Sequence, residues 1–530
     1  MTLVYNDRGP RPAWRMTRAA AVSALCLGAL ACQDLQVENT NNPDVQDIYR
    51  DPVNLQSAIG TSYRTFWGVA QGDRTNGTAP VVGIAAMSDE LVTISTTSQA
   101  FQVAQEPRIP YDNLDAGGWI NRKPYYDLYE AIATNVDGIR ALDGGVVLGT
   151  VTDAYPEGTV TNQARIFARM MNGLSHLYLG LLFDQAIPFD ETKDPEADLE
   201  FAPYDEVVDF GIAQLEAAIA RSDADTRVDT LPADWINGMV VPRTTLVRYM
   251  HSMIARGLAA AARNPEERAA VDWAKVKFHA ERGVTAPFGQ LADVSISGTR
   301  SNYVQYILLS GTARISNRLI GPADTTGRYQ AWLTEPLATR NAIEIATPDR
   351  RIHGAGGPAT VGTLFQRQPT QAMGQTQGTY MLSNYRSIRF PLTHWNTGFI
   401  QTTNPDEMRF LIAEAEYRLG NRARAAELIN ISRVANGQLP AVTVDGPPND
   451  ASCVPRKDSG ACGDLFDALM YEKRIEMHAI EAIIAYTDAR GWGKLVPGTM
   501  IHFPVTGREL QTLGLPVYTF GGVGNAGSAP

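Results

Sequence analysis

The chain has 530 residues, with 46 Lys and Arg against 57 Asp and Glu, a formal net charge of −11 and 44% hydrophobic residues. That length suffices for a large core, and the acidic balance argues against nucleic acid or an anionic lipid surface as a partner. Beyond residue 31 no uninterrupted apolar run approaches the roughly 18 residues that a membrane-spanning helix needs.

Taken in chain order, the first 31 residues read as an export signal. Arg8, Arg11, Arg15 and Arg18 precede the apolar run Ala19–Ala31, and translation starts at Met1 or at Met16. The run ends in Ala29-Leu30-Ala31-Cys32, which resembles the lipobox of bacterial lipoproteins. That resemblance implies cleavage before Cys32 and acylation of its thiol and new amine, with each buried methylene of the acyl chains contributing about 0.8 kcal/mol of membrane binding. The alternative is an ordinary secretory signal in which Cys32 is incidental. Residues 32–44 are polar and Asn-rich and are expected to be a tether. Loss of four Arg and one Asp with the signal leaves 42 basic and 56 acidic residues, a net charge of −14.

The next segments carry apolar stripes of helical period. Pro52–Trp67 places Leu55, Ile59, Tyr63 and Phe66 on one face. Further helices are predicted over Trp119–Leu142, Gln163–Phe183, Tyr204–Ala220, Thr244–Ala262 and Trp273–Val284. Asp89-Glu90 follows an apolar run and is expected to be solvated or to cap a helix. His176 and His251 fall on apolar helical faces and are expected to be satisfied core residues rather than ligands.

Residues 287–404 change character. Gly, Ser, Thr, Gln and Pro dominate, and Tyr303, Tyr306, Tyr329, Trp332 and Trp395 are scattered among them. A loop-rich insertion on a helical scaffold is where binding is expected. A saccharide needs flat apolar faces and polar groups together. Those five aromatics, with Asn302, Gln305, Arg328 and Gln330 beside them, are the candidate ligand contacts; simple packing is the competing role for each.

Helices resume with Asp406–Leu419 and Arg422–Ala435, separated by Gly420-Asn421, a helix stop. So short a link requires an antiparallel hairpin, the logic of a tetratricopeptide-like unit. Thr244–Ala262 with Trp273–Val284 is a second candidate hairpin. Cys453 and Cys462, nine apart in a Pro- and Gly-containing loop, are expected to form a local disulfide, with two free thiols as the alternative. Two cysteines alone do not make a zinc set, and neither metal nor cofactor is expected. A last long helix is predicted over Leu465–Asp488. Within it Glu472 and Glu476 share a face and need a cation nearby, which suggests an ion network rather than an active site. No metalloprotease, nucleophile-elbow or phosphate-loop motif is present; Gly491-Trp492-Gly493-Lys494 lacks the phosphate-loop spacing.

The order of these features, together with four motifs, resembles the SusD/RagB family of nutrient-uptake outer-membrane lipoproteins. Gln163–Arg169 through Phe183-Asp184-Gln185-Ala186-Ile187-Pro188 is similar to the family's Arg-Ala helix and "Phe-Gly-x-x-Pro" turn, with Asp184 in place of Gly. Arg409–Asn421, then Asn430 and Arg433, resembles its "Leu-x-Ala-Glu-Ala" hairpin and "Asn-x-x-Arg". Tyr471–Glu476 resembles its "Glu-x-Arg-x-Glu" helix, and His502-Phe503-Pro504-Val505 with Glu509 its "Pro-Ile-Pro…Glu" segment. After Glu481 the family's Gly and first Arg are missing, which marks a divergent branch. The resemblance implies a mainly all-α fold of tetratricopeptide-like hairpins, in a single helical domain over 45–530. It also implies a non-enzymatic, surface-exposed, lipid-anchored protein of the outer membrane. Such a protein holds an oligosaccharide or a peptide for a SusC-like TonB-dependent transporter. Two other classes fit the residues alone: an exported helical-repeat scaffold of an envelope complex, and an all-α carbohydrate-active enzyme.

Overall fold

Asp51 and Pro52 set the start of the first helix. The Asp51 carboxylate accepts from the backbone N–H groups of Val53 and Asn54, both at 2.9 Å, and proline in the first turn gives up only an N–H that no helical partner would use. The structure is a computed structural model that describes residues 49–72, 80–94, 99–114, 119–194, 199–225, 230–308, 311–369 and 377–520. The signal segment 1–31, Cys32 and the tether 32–44 lie outside the described residues.

Twelve of the helices carry the architecture. α1 (Pro52–Trp67), α2 (Pro80–Met87), α3 (Trp119–Asp143), α4 (Thr161–Leu182), α5 (Tyr204–Ala224), α6 (Arg243–Ala260) and α7 (Trp273–Ala280) build the first half. α8 (Arg328–Thr334) lies in the middle segment, and α9 (Pro405–Arg418), α10 (Arg422–Ala435), α11 (Leu465–Met477) and α12 (Ala482–Gly491) complete the set. Strands are short and occur as four antiparallel pairs: β1 (Leu91–Thr93) with β5 (Ala313–Ile315), β2 (Gln185–Ala186) with β3 (Ala202–Pro203), β4 (Phe288–Leu291) with β8 (Phe399–Thr403), and β6 (Phe365–Arg367) with β7 (Tyr385–Ser387). The fold is mainly all-α.

Both predicted hairpins form: α6 packs on α7 and α9 on α10, and α7 also packs on α9, joining the two. Gly420 adopts φ +90° between α9 and α10. Its N–H donates to Tyr417 O at 3.1 Å and that of Asn421 to Glu416 O at 2.7 Å. This crossed pair ends α9 and needs a residue that tolerates the left-handed region. α4 and α5 approach very closely: a Cβ on Gly211 would stand 2.6 Å from Leu177 N and 2.8 Å from Gly173 O.

Two predictions need correction. The stretch Leu465–Asp488 is not one helix; it breaks at 478–481, where Ala479 has φ +66°. The break lets one segment serve two partners. Glu472 and Glu476 on α11 meet Arg351, whereas Glu481 turns to Arg256. Asp89 and Glu90 are not solvated either. Both are buried, because Asp89 is the left-handed residue (φ +58°) that ends α2. Its N–H donates to Ala86 O and that of Glu90 to Ala85 O, and the resulting turn sends the Glu90 carboxylate inward to the hydroxyl of Tyr303 at 2.5 Å.

The middle segment is not a loose insertion. Leu319, Tyr329, Trp332, Ile343, Ile352, Phe365 and Tyr385 form a second core, closed by Tyr471 and Ile475 of α11. Buried ion networks tie the halves together. Arg268 meets Glu414 at 2.7 Å and Asp488 at 3.1 Å. Arg256 meets Glu407 and Glu481, each at 2.7 Å. Arg351 meets Asp349, Glu472 and Glu476 at 2.6–2.8 Å.

Candidate functional site

Where the second core meets the ends of α11 and α12, the surface opens into a cleft of 410 Å³. One wall is Arg318, Leu319, Pro322 and Tyr329, from the middle segment. The opposite wall is the 455–459 loop, and the floor carries Met470, Tyr471, Arg474 and Trp492, with Lys494 at the rim.

The loop wall is fixed at several points. Cys453 and Cys462 are joined by a disulfide with Cα atoms 5.8 Å apart. The Arg456 N–H donates to Pro322 O at 2.7 Å, tying the wall to its neighbour. Gln330 Nε2 donates to Lys457 O at 3.2 Å. Lys457 Nζ stands 3.1 Å from both Asp464 and Asp467, and those hydrogen bonds raise its pKa.

Arg318 sits at the back of the cleft. It donates to Glu106 at 3.0 and 3.2 Å and lies 3.9 Å from Asp89. Burial raises the Asp89 pKa, with Arg318 and then Arg108 pulling it back down. Arg474 Nη2 donates to the backbone carbonyl of Ser88 at 3.0 Å, so the end of α2 also holds a floor residue. The arrangement offers fixed cations and backbone polar groups, which hydrogen-bond hydroxyls, beside the largely buried rings of Tyr329, Tyr471 and Trp492. Histidines stand apart from it: His176 is buried between Asn172 O and the Phe189 N–H, and His251 pairs with His279.

The five aromatics singled out in the sequence fall in different places. Tyr329 lines the cleft. Trp332 stacks behind it at 6.0 Å, and its indole N–H donates to Asn341 O at 2.8 Å, so it backs the site rather than facing it. Tyr303 is fully buried with its hydroxyl committed to Glu90; a sealed ring cannot stack on a ligand, and its place is structural. Tyr306 and Trp395 are half-buried against the main core and do not line the cleft. Sequence reasoning missed Arg318, the 455–459 wall, Arg474 and Lys494; Trp492 is a core residue that also borders the cleft. The signals for two of these were present: Tyr471 and Arg474 lie one turn apart on α11, and the wall is the disulfide loop itself.

No family model matches the chain, and no curated protein matches it by sequence. Solved structures do match in three dimensions. A SusD superfamily protein from Parabacteroides distasonis aligns at TM-score 0.55 and 11% identity, over 87% of this chain and 97% of that one. A SusD superfamily protein from Bacteroides fragilis aligns at 0.52 and 14%, over 84% and 91%. The fold is SusD-like. A third such structure, a SusD-like carbohydrate binding protein from Bacteroides vulgatus, aligns at 0.50 and 13%, over 81% of each chain. Within this SusD-like fold, segments that lie far apart in the sequence meet. The turn after α4 pairs Phe183 with Phe503, with the Asp184 N–H donating to Phe503 O at 3.1 Å. Asp184, which stands where the resembled motif has Gly, accepts from the Tyr518 hydroxyl at 2.8 and 3.0 Å.

Proposed function

We infer that this protein is a lipid-anchored, surface-exposed glycan-binding protein of the outer membrane. It captures an oligosaccharide in the cleft and passes it, unaltered, to a SusC-like TonB-dependent transporter. The observation that carries this reading is a SusD-like fold with an open cleft of 410 Å³ between the middle segment and the 455–459 loop, within the roughly 300–1,000 Å³ usual for small-molecule sites. The carbohydrate binding protein of the same fold supports the ligand class. The basic and apolar N-terminal stretch supports export, with residues 1–31 as the signal, Cys32 as the acylated residue and 32–44 as the tether.

Two measurements test it. Tagged protein is recovered from detergent-solubilised envelopes and its companions are identified by mass spectrometry; a large β-barrel transporter is expected, and recovery of other envelope proteins alone would instead favour a scaffold. Purified protein is then titrated with oligosaccharides by calorimetry and the products are chromatographed. Heat of binding without cleavage supports the reading, whereas turnover would make the protein an enzyme.

A further inference from the structure

The cleft departs in charge from the rest of the molecule. The chain as a whole is acidic, at −11, yet Arg318, Arg456, Lys457, Arg474 and Lys494 line the cleft against Asp89, Asp458 and Asp467. Two of those carboxylates are already engaged within the protein. Asp467 is matched by Lys457, and Asp89 lies deep beside Arg318. Three cations have no carboxylate within ion-pair distance among the described residues. Arg456 donates to the carbonyls of Gly460, Asp450 and Ala451. Arg474 donates to those of Ser88 and Asp89. Lys494 is exposed at the rim. Arg474 also acts through space on Asp89 and Arg456 on Asp450, yet five cations against three carboxylates leave the cleft lining a positive excess, and low-dielectric walls focus that field on whatever enters. A neutral sugar offers these cations only hydroxyl acceptors, whereas a carboxylate or sulfate also offers them opposite charge.

We propose that the cleft selects an acidic oligosaccharide, one whose rings carry carboxylate or sulfate groups, with the anionic groups toward Arg456, Arg474 and Lys494. This rests on the glycan-binding reading and narrows its ligand.

The test is calorimetry on the full mature chain with galacturonic acid oligomers, chondroitin sulfate oligosaccharides, neutral galacto- and xylo-oligosaccharides, and hexaglutamate. The acidic saccharides are expected to bind at least about tenfold more tightly than the neutral ones, with affinity falling as salt rises from low to physiological. Preference between the uronate and sulfate arms identifies the anionic group. Lys494→Gln is expected to weaken acidic binding about threefold and Lys494→Glu about tenfold, in each case more than it weakens neutral binding. Because Lys494 is exposed, both variants are expected to fold, and thermal melts confirm that they do. Equal binding of neutral saccharides, independent of salt and of Lys494, overturns the selection while leaving glycan binding standing. Binding of hexaglutamate as tight as that of the uronates overturns the saccharide assignment. No binding to any saccharide sinks both.

Discussion

Arg351 grips both oxygens of Glu472, its Nη1 donating to Oε2 at 2.6 Å and its Nη2 to Oε1 at 3.0 Å, with neither side chain reaching solvent. The pair spans 121 residues and fixes the middle segment to α11, which also carries the cleft residues Met470, Tyr471 and Arg474. Removing one member leaves a buried charge unmatched, which costs about 3–5 kcal/mol. Arg351→Ala is therefore expected to lower the urea-unfolding free energy by that amount. Arg351→Lys should recover only part of it, because an ammonium cannot form the two-pronged contact. Lys275→Ala, which breaks the exposed pair with Glu216, should cost under about 1 kcal/mol. Equal effects from the buried and exposed pairs would contradict this account.

The disulfide that holds the 455–459 wall closes a loop of nine residues' separation. Chain entropy assigns a loop that short about 2.5 kcal/mol. The paired replacement Cys453→Ser and Cys462→Ser is expected to lower stability by about that much. Saccharide affinity should fall as well, since Arg456 and Lys457 ride on the constrained segment. Melting with and without reductant, followed by a binding titration, checks both.

His279 gives a pH dependence with a definite sign. Its Nδ1 lies 2.9 Å from that of His251, and burial, then the charge of His251, holds its pKa down at about 4. An unfolded histidine takes its proton near 6.5. Between about 6.5 and 4 the unfolded chain therefore binds more protons than the folded one, and stability rises with pH in that window. The contribution is complete above 6.5 and is lost as pH falls toward 4. His279→Asn is expected to lose less stability than the parent on going from pH 7 to 4.5, measured by urea midpoints at each pH. An unchanged difference would place the imidazole in a more solvated setting than the structure shows.

Helix propensity alone favours Gly211→Ala by about 1 kcal/mol. Packing opposes it, because the new methyl would meet backbone of α4 at 2.6 and 2.8 Å. The expected outcome is a net destabilisation of about 1–3 kcal/mol, read by thermal melting. Gly420→Ala meets no atom but carries φ +90°, and should cost about 1 kcal/mol through backbone strain.

Amphipathic helices were the legible part of this sequence. Pro52–Trp67 and Arg422–Ala435 fall where the stripe places them, since a surface helix records its own orientation in its residue pattern. α2 left no such record, because all eight of its residues are buried and an apolar run without a polar face has no readable period. The break at 478–481 was hidden for a different reason. No glycine or proline marks it; a demand from Arg256, more than two hundred residues upstream, turns Glu481 aside. The cleft was half legible: Tyr329 belongs to the aromatic middle segment, whereas Arg474, Trp492 and Lys494 join it only through tertiary folding, which no local pattern encodes.

The partners of the buried arginines also set an order of events. Arg268 waits for Asp488, Arg256 for Glu481, and Arg351 for Glu472 and Glu476, all supplied by the last sixty residues of the 530. A chain still lacking that stretch has these guanidinium groups only partly matched, Arg268 by Glu414, Arg256 by Glu407 and Arg351 by Asp349, so burying them is less favourable until the last partners are in place. The same chemistry that locks the finished molecule thus favours an open form of the unfinished one.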